Sequence, residues 1–82
     1  MNIDAMEEAG RLAQTISFSY EDHYHLQEKR KMFQALFERY LSPVDPSGSM
    51  EPYYAIILLW RKNPAEFDQM VREMKDHRLI PA

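Results

Sequence analysis

From Ala5 onward the apolar residues recur at helical spacing. Ala5, Met6, Ala9, Leu12, Ala13 and Ile16 gather on one side of a helix, and Glu7, Glu8, Arg11 and Gln14 on the other. Asn2 or Asp4 can cap its start. The apolar face is built of small side chains beside Gly10, which lets a neighbouring helix axis come close. The next stretch, "QTISFSYEDHYH", alternates Ile16, Phe18 and Tyr20 with Ser17 and Ser19, as a half-buried strand would. A lone strand leaves its backbone groups unpaired, and no second strand-like run stands nearby. A turn is therefore expected here, with Ser19 capping the next helix and Asp22 three residues on in a variant of the capping box.

The pattern then predicts a long second helix over 20–41. Leu26, Met32, Phe33, Leu36, Phe37, Tyr40 and Leu41 occupy half of its circumference and face the core. Tyr20 and Tyr24 fall nearly opposite, where they either pack under the first helix or meet something outside the chain. Residues 42–49, "SPVDPSGS", stop this helix with two prolines and a glycine and form the longest loop.

Ser49 is the expected cap of a third helix over 50–62, with Pro52 tolerated in its first turn. This helix carries nine consecutive apolar or aromatic residues, Pro52 to Trp60. The run is too short for a membrane span, which needs about 20 apolar residues. It is also apolar all round: Tyr53, Ile57 and Trp60 point one way, Tyr54 and Leu58 a second, Ile56 and Leu59 a third. An interfacial helix would keep a polar face, so this one needs protein neighbours on nearly every side and is expected at the centre.

A fourth helix over 64–77 has the sharpest start signal, with Asn63 as cap, Pro64 at the first position and Glu66 completing a capping box. Phe67, Met70, Val71 and Met74 form its inward stripe, and Asp68, Gln69, Arg72, Lys75 and Asp76 its wet face. Leu79 and Ile80, in a tail at 79–82, are expected to fold back. The reading is an all-α bundle of about four helices in one domain over 1–82, with the third helix central.

Composition narrows the chemistry. The 82 residues are 45% hydrophobic and 28% charged, with net charge -3 and a sequence pI near 5.5. That is globular rather than disordered. The charges are mixed, so no broad field for nucleic acid follows. With no Cys there is no disulfide framework, thiolate metal site or cysteine nucleophile, and a reducing cytoplasm fits best. The N-terminal "MNIDAMEEAG" lacks the basic and apolar regions of a signal peptide. A small core of this size would gain stability from association.

Candidate sites are few. Ser47 and Ser49 sit in a Pro-rich loop without a nucleophile elbow, and "PSGS" lacks the second Gly and the Lys of a phosphate-binding loop. Glu21, His25 and Glu28 would share one face of a helix starting at Ser19 and resemble a metal triad. Bundle sites, however, draw ligands from several helices, so a solvated edge is expected and no metal or other cofactor. His23 and His77 stand isolated and are expected to bind nothing.

The leading expectation is a non-enzymatic protein-interaction or adaptor/regulatory protein that binds another protein or forms a homodimer, acting through Tyr20, Tyr24, Tyr53, Tyr54 and Trp60. Aromatic residues with a polar handle are enriched at interface hot spots. The alternative is a nucleic-acid-binding regulator, with "RKNPAEF" joining a helix-turn-helix-like pair and Lys29, Arg30, Lys31, Arg61 and Lys62 on phosphates. Against it, the fourth helix presents Asp68, Glu73 and Asp76 among its cations.

Overall fold

The computed structural model describes residues 2–82. They form four helices, α1 (Ile3–Asp22), α2 (Gln27–Leu41), α3 (Pro52–Lys62) and α4 (Pro64–Asp76), with no strand among the described residues. The bundle measures 38 × 29 × 18 Å. Helix α3 is the central element, packed on α1, α2 and α4, and α1 rests chiefly on α3. Ile16, Phe33, Ile56, Met70, Met74 and Leu79 are its largest fully buried side chains, one or two from each helix and one from the tail.

Helix α1 begins where Asn2 Oδ1 accepts the N–H groups of Asp4 (2.9 Å) and Ala5 (3.4 Å). Ala9, Ala13 and Ile16 are buried, while Ala5 and Met6 at the outer end of the same stripe are exposed. The helix does not stop at residue 16. It continues through the Ser-rich stretch to Asp22, so the expected turn and the Ser19 cap are corrected. Residues two apart on a helix point about 200° from each other. Ile16 therefore enters the core, Phe18 turns outward, and Tyr20 returns to the inner side, which gives strand-like alternation without a strand. Ser19 instead donates its hydroxyl to the Leu79 carbonyl and ties α1 to the C-terminal tail.

The chain reverses over residues 23–26, with the N–H of His23 on Ser19 O, that of Tyr24 on Glu21 O and that of Leu26 on His23 O. Helix α2 thus begins at Gln27 rather than at residue 20, with Leu26 at its N-cap position and no side-chain cap. Phe33, Leu36, Tyr40 and Leu41 are buried as expected. Leu26 and Met32 are not, at 43% and 38% exposure. Leu26 lies in the reversal, and Met32 stands about 100° around the helix from Phe33, at the edge of the apolar stripe.

The following loop is organised by Asp45. Its carboxylate accepts the Met50 N–H (3.2 Å), and its carbonyl accepts that of Gly48 (3.0 Å), whose φ of 66° suits glycine. Ser49 hydrogen-bonds Ser47 (2.7 Å) and does not cap α3. The N-cap position is Glu51, without a side-chain cap, and Pro52 is the first helical residue.

Asn63 ends α3 and starts α4. Its N–H donates to Leu59 O (2.7 Å), and its Oδ1 accepts from Glu66 N (3.3 Å). Because that N–H is already engaged, the expected capping box is only half made: Asn63 caps Glu66, and the Glu66 carboxylate has no donor to reach back for. Phe67, Met70, Val71 and Met74 are all buried.

At the other end of α4, Arg78 N–H bonds Lys75 O and Leu79 N–H bonds Met74 O, the two bonds of a Schellman cap. Arg78 takes the left-handed position with φ 58°, which costs a non-glycine residue roughly 1–2 kcal/mol. The turn delivers Leu79 and Ile80 into the core at 2% and 4% exposure. Burying two such side chains is worth about 1.5–3 kcal/mol each, which exceeds the strain. The expected fold-back of the tail is therefore present and has a driving force.

Candidate interaction surface

The apolar run of α3 divides into three zones. Ala55, Ile56 and Leu59 are buried, Tyr53, Ile57, Leu58 and Trp60 are half-buried, and Tyr54 is 60% exposed. The chain's own helices thus cover most of the run and leave its aromatic start open. Tyr53 and Tyr54 meet edge to face with ring centroids 5.4 Å apart. Across the seam lies α1, whose Ser17, Gly10, Ile3, Glu21, Gln14 and Phe18 fall within about 100° of its circumference. At Gly10 the two helices face each other, and a methyl built there would sit 3.9 Å from the Tyr53 hydroxyl oxygen.

The resulting groove, about 380 Å³, is lined from α1 by Gly10, Gln14, Ser17, Phe18 and Glu21 and from α3's start by Glu51, Tyr53 and Tyr54. Phe18 is 55% exposed. It was not among the residues expected at a surface, because its alternation with Ile16 and Tyr20 reads as strand-like. Once the helix is known to continue, its 200° offset from Ile16 is the signal that places it outside.

The other expected aromatic residues lie elsewhere. Tyr20, which belongs to α1 rather than α2, packs edge to face on Phe33 (5.5 Å) and Phe37 (5.1 Å), and its hydroxyl accepts from Gln34 (3.2 Å). It ties α1 to α2. Tyr24, in the reversal, is half exposed; the Arg30 guanidinium stands 5.0 Å over its ring and donates to its carbonyl (3.1 Å). Trp60 packs against the edge of the core. The five residues therefore do not form one patch, and Tyr53 with Tyr54 are those that share a groove.

The charged candidates are also dispersed. Lys29, Arg30 and Lys31 lie in the first turns of α2, whereas Arg61 and Lys62 end α3. The joint between α3 and α4 is a single residue, Asn63, shorter than the three- to four-residue turn of a helix-turn-helix. Glu21, His25 and Glu28 are split among the end of α1, the reversal and the start of α2, so they share no helix face. No group of three metal-ligating side chains comes together among the described residues.

One polar cluster supports the core instead. The buried Tyr40 hydroxyl donates to Glu73, which also pairs with Arg39 at 3.3 Å. Burial, then the Glu73 carboxylate, pushes the Tyr40 phenol above its usual 10.0.

Among the described residues no helix is long and apolar enough to cross a membrane. Comparison with protein families, curated proteins and solved structures finds no match to this chain.

Proposed function

We propose that this chain is a small non-enzymatic interaction protein, of adaptor or regulatory type, that works in a reducing cytoplasm by binding a second copy of itself or another protein through the α1–α3 aromatic seam. The observation that carries this reading is the exposure of Phe18 and Tyr54 beside the half-buried Tyr53, in a groove that Gly10 also lines. Isolated apolar residues on a surface are ordinary, but aromatic side chains flanking a groove with a polar rim have the composition of an interface centre. Gln14, Ser17, Glu21 and Glu51 supply that rim.

The test is solution mass as a function of concentration, for the intact chain, Tyr54→Ala and the control Met32→Ser. Self-association predicts a mass rising from 9.8 kDa toward twice that value, lost in Tyr54→Ala and kept in Met32→Ser at unchanged helicity. A photoreactive residue at position 54 should in addition crosslink one protein species specifically. A mass fixed at the monomer value together with no specific crosslink would defeat the proposal.

A further inference from the structure

The geometry points to a second site, independent of the aromatic seam: a basic groove beneath the C-terminal tail that binds a small phosphate-bearing ligand. The groove, about 450 Å³, lies where the ends of α1 and α4 meet the start of α2. Lys29 reaches it from α2, Lys75 from the last turn of α4, and Arg78 from the turn that follows. Residues far apart in the sequence thus bring three cations to one concavity, and the other lining residues, Ser19, His23, Leu79, Ile80, Pro81 and Ala82, bring no acidic side chain. None of the three has an ion-pair partner among the described residues, whose ion pairs are Arg11–Glu8 and Arg39–Glu73.

The three cations repel one another, and a bound dianion would relieve that repulsion. His23, isolated in the sequence, also lines the groove. Its Nδ1 lies 2.8 Å from the Ser19 carbonyl, which can only accept, so Nδ1 carries the proton and Nε2 is the free ring nitrogen.

Leu79, Ile80, Pro81 and Ala82 give the groove an apolar wall, with Ser19 beside His23. Cationic donors beside an apolar wall fit a phosphate monoester with a compact carbon skeleton.

Phenyl phosphate is the probe, titrated into isotopically labelled intact protein at low ionic strength and followed by amide shifts. The expected result is saturable shifts at His23, Lys29, Arg78 and Leu79. Affinity should fall at least about tenfold in Lys75→Ala and in Arg78→Gly, and phenol should be without effect. Arg78→Gly deletes the cation while relieving the backbone, so loss of binding there is separable from loss of fold. Inorganic phosphate binding through the same residues, more weakly, supports the site. The inference is overturned if millimolar phenyl phosphate shifts nothing, if both variants bind as the intact chain does, or if phenol shifts the same amides. It is equally overturned if a single-stranded oligonucleotide binds these residues while phenyl phosphate does not, which would make the groove a nucleic-acid surface.

Discussion

Gly10→Ala separates what the fold needs at the seam from what a partner would need. Gly10 lies in the interior of a 20-residue helix, where glycine is less favourable than alanine by about 0.8–1.0 kcal/mol. Nothing in the bundle demands the missing side chain: an added methyl meets the Tyr53 hydroxyl at 3.9 Å, an ordinary van der Waals distance, and no left-handed backbone angle is involved. The one atom near that methyl is a hydroxyl oxygen, so apolar burial adds little to this. The expected stabilisation is therefore about 1 kcal/mol, a rise in melting temperature of roughly 4–8 °C for a chain this small. Thermal and urea unfolding by circular dichroism measure it. If the glycine keeps the groove floor open for a partner, the same variant should associate more weakly while being more stable. A destabilised Gly10→Ala would refute the packing described at the seam. A stabilised variant with undiminished association would refute the functional reading of that glycine.

Asn63→Ala should cost about 1 kcal/mol by removing the acceptor of the Glu66 N–H, measurable as a lower urea midpoint, with Pro64 still marking the helix start. Arg78→Gly should stabilise by about 1 kcal/mol or somewhat more, because the left-handed turn is retained without its strain; a loss of stability would show that Arg78 makes contacts that outweigh that strain. Tyr40 gives a pH signature. Its folded phenol holds its proton more tightly than the unfolded chain does, so the linked stability is fully present below pH 10.0 and is lost as pH rises through the higher folded value. Tyr40→Phe should abolish that part of the alkaline loss, as read from urea midpoints across pH 8 to roughly 11.

The parts of the fold that could be read from the residues are those fixed by local rules. The Asn63-Pro64 start places α4 to the residue, its stripe of Phe67, Met70, Val71 and Met74 is buried as spaced, and the apolar run makes α3 central. The boundary between α1 and α2 carries no strong local signal: the reversal at 23–26 contains neither Gly nor Pro, and Leu26 starts α2 without a side-chain cap. Without that signal the pattern assigns Tyr20 to α2 and does not show Phe18 as an outward residue of α1. Tyr53, Tyr54 and the small-residue face beside Gly10 are each legible in the sequence, but that they meet in one groove follows only from tertiary packing. The Lys29, Lys75 and Arg78 grouping is likewise invisible in the sequence, since packing of the tail assembles it.

The central claim, that the α1–α3 seam is where this protein meets its partner, is tested most directly by amide chemical shifts of the intact chain on dilution or on addition of a crosslinked partner. Changes are expected to concentrate at Gly10, Gln14, Phe18, Tyr53 and Tyr54. Changes confined to the α2–α4 side, with the seam amides unmoved, would contradict it.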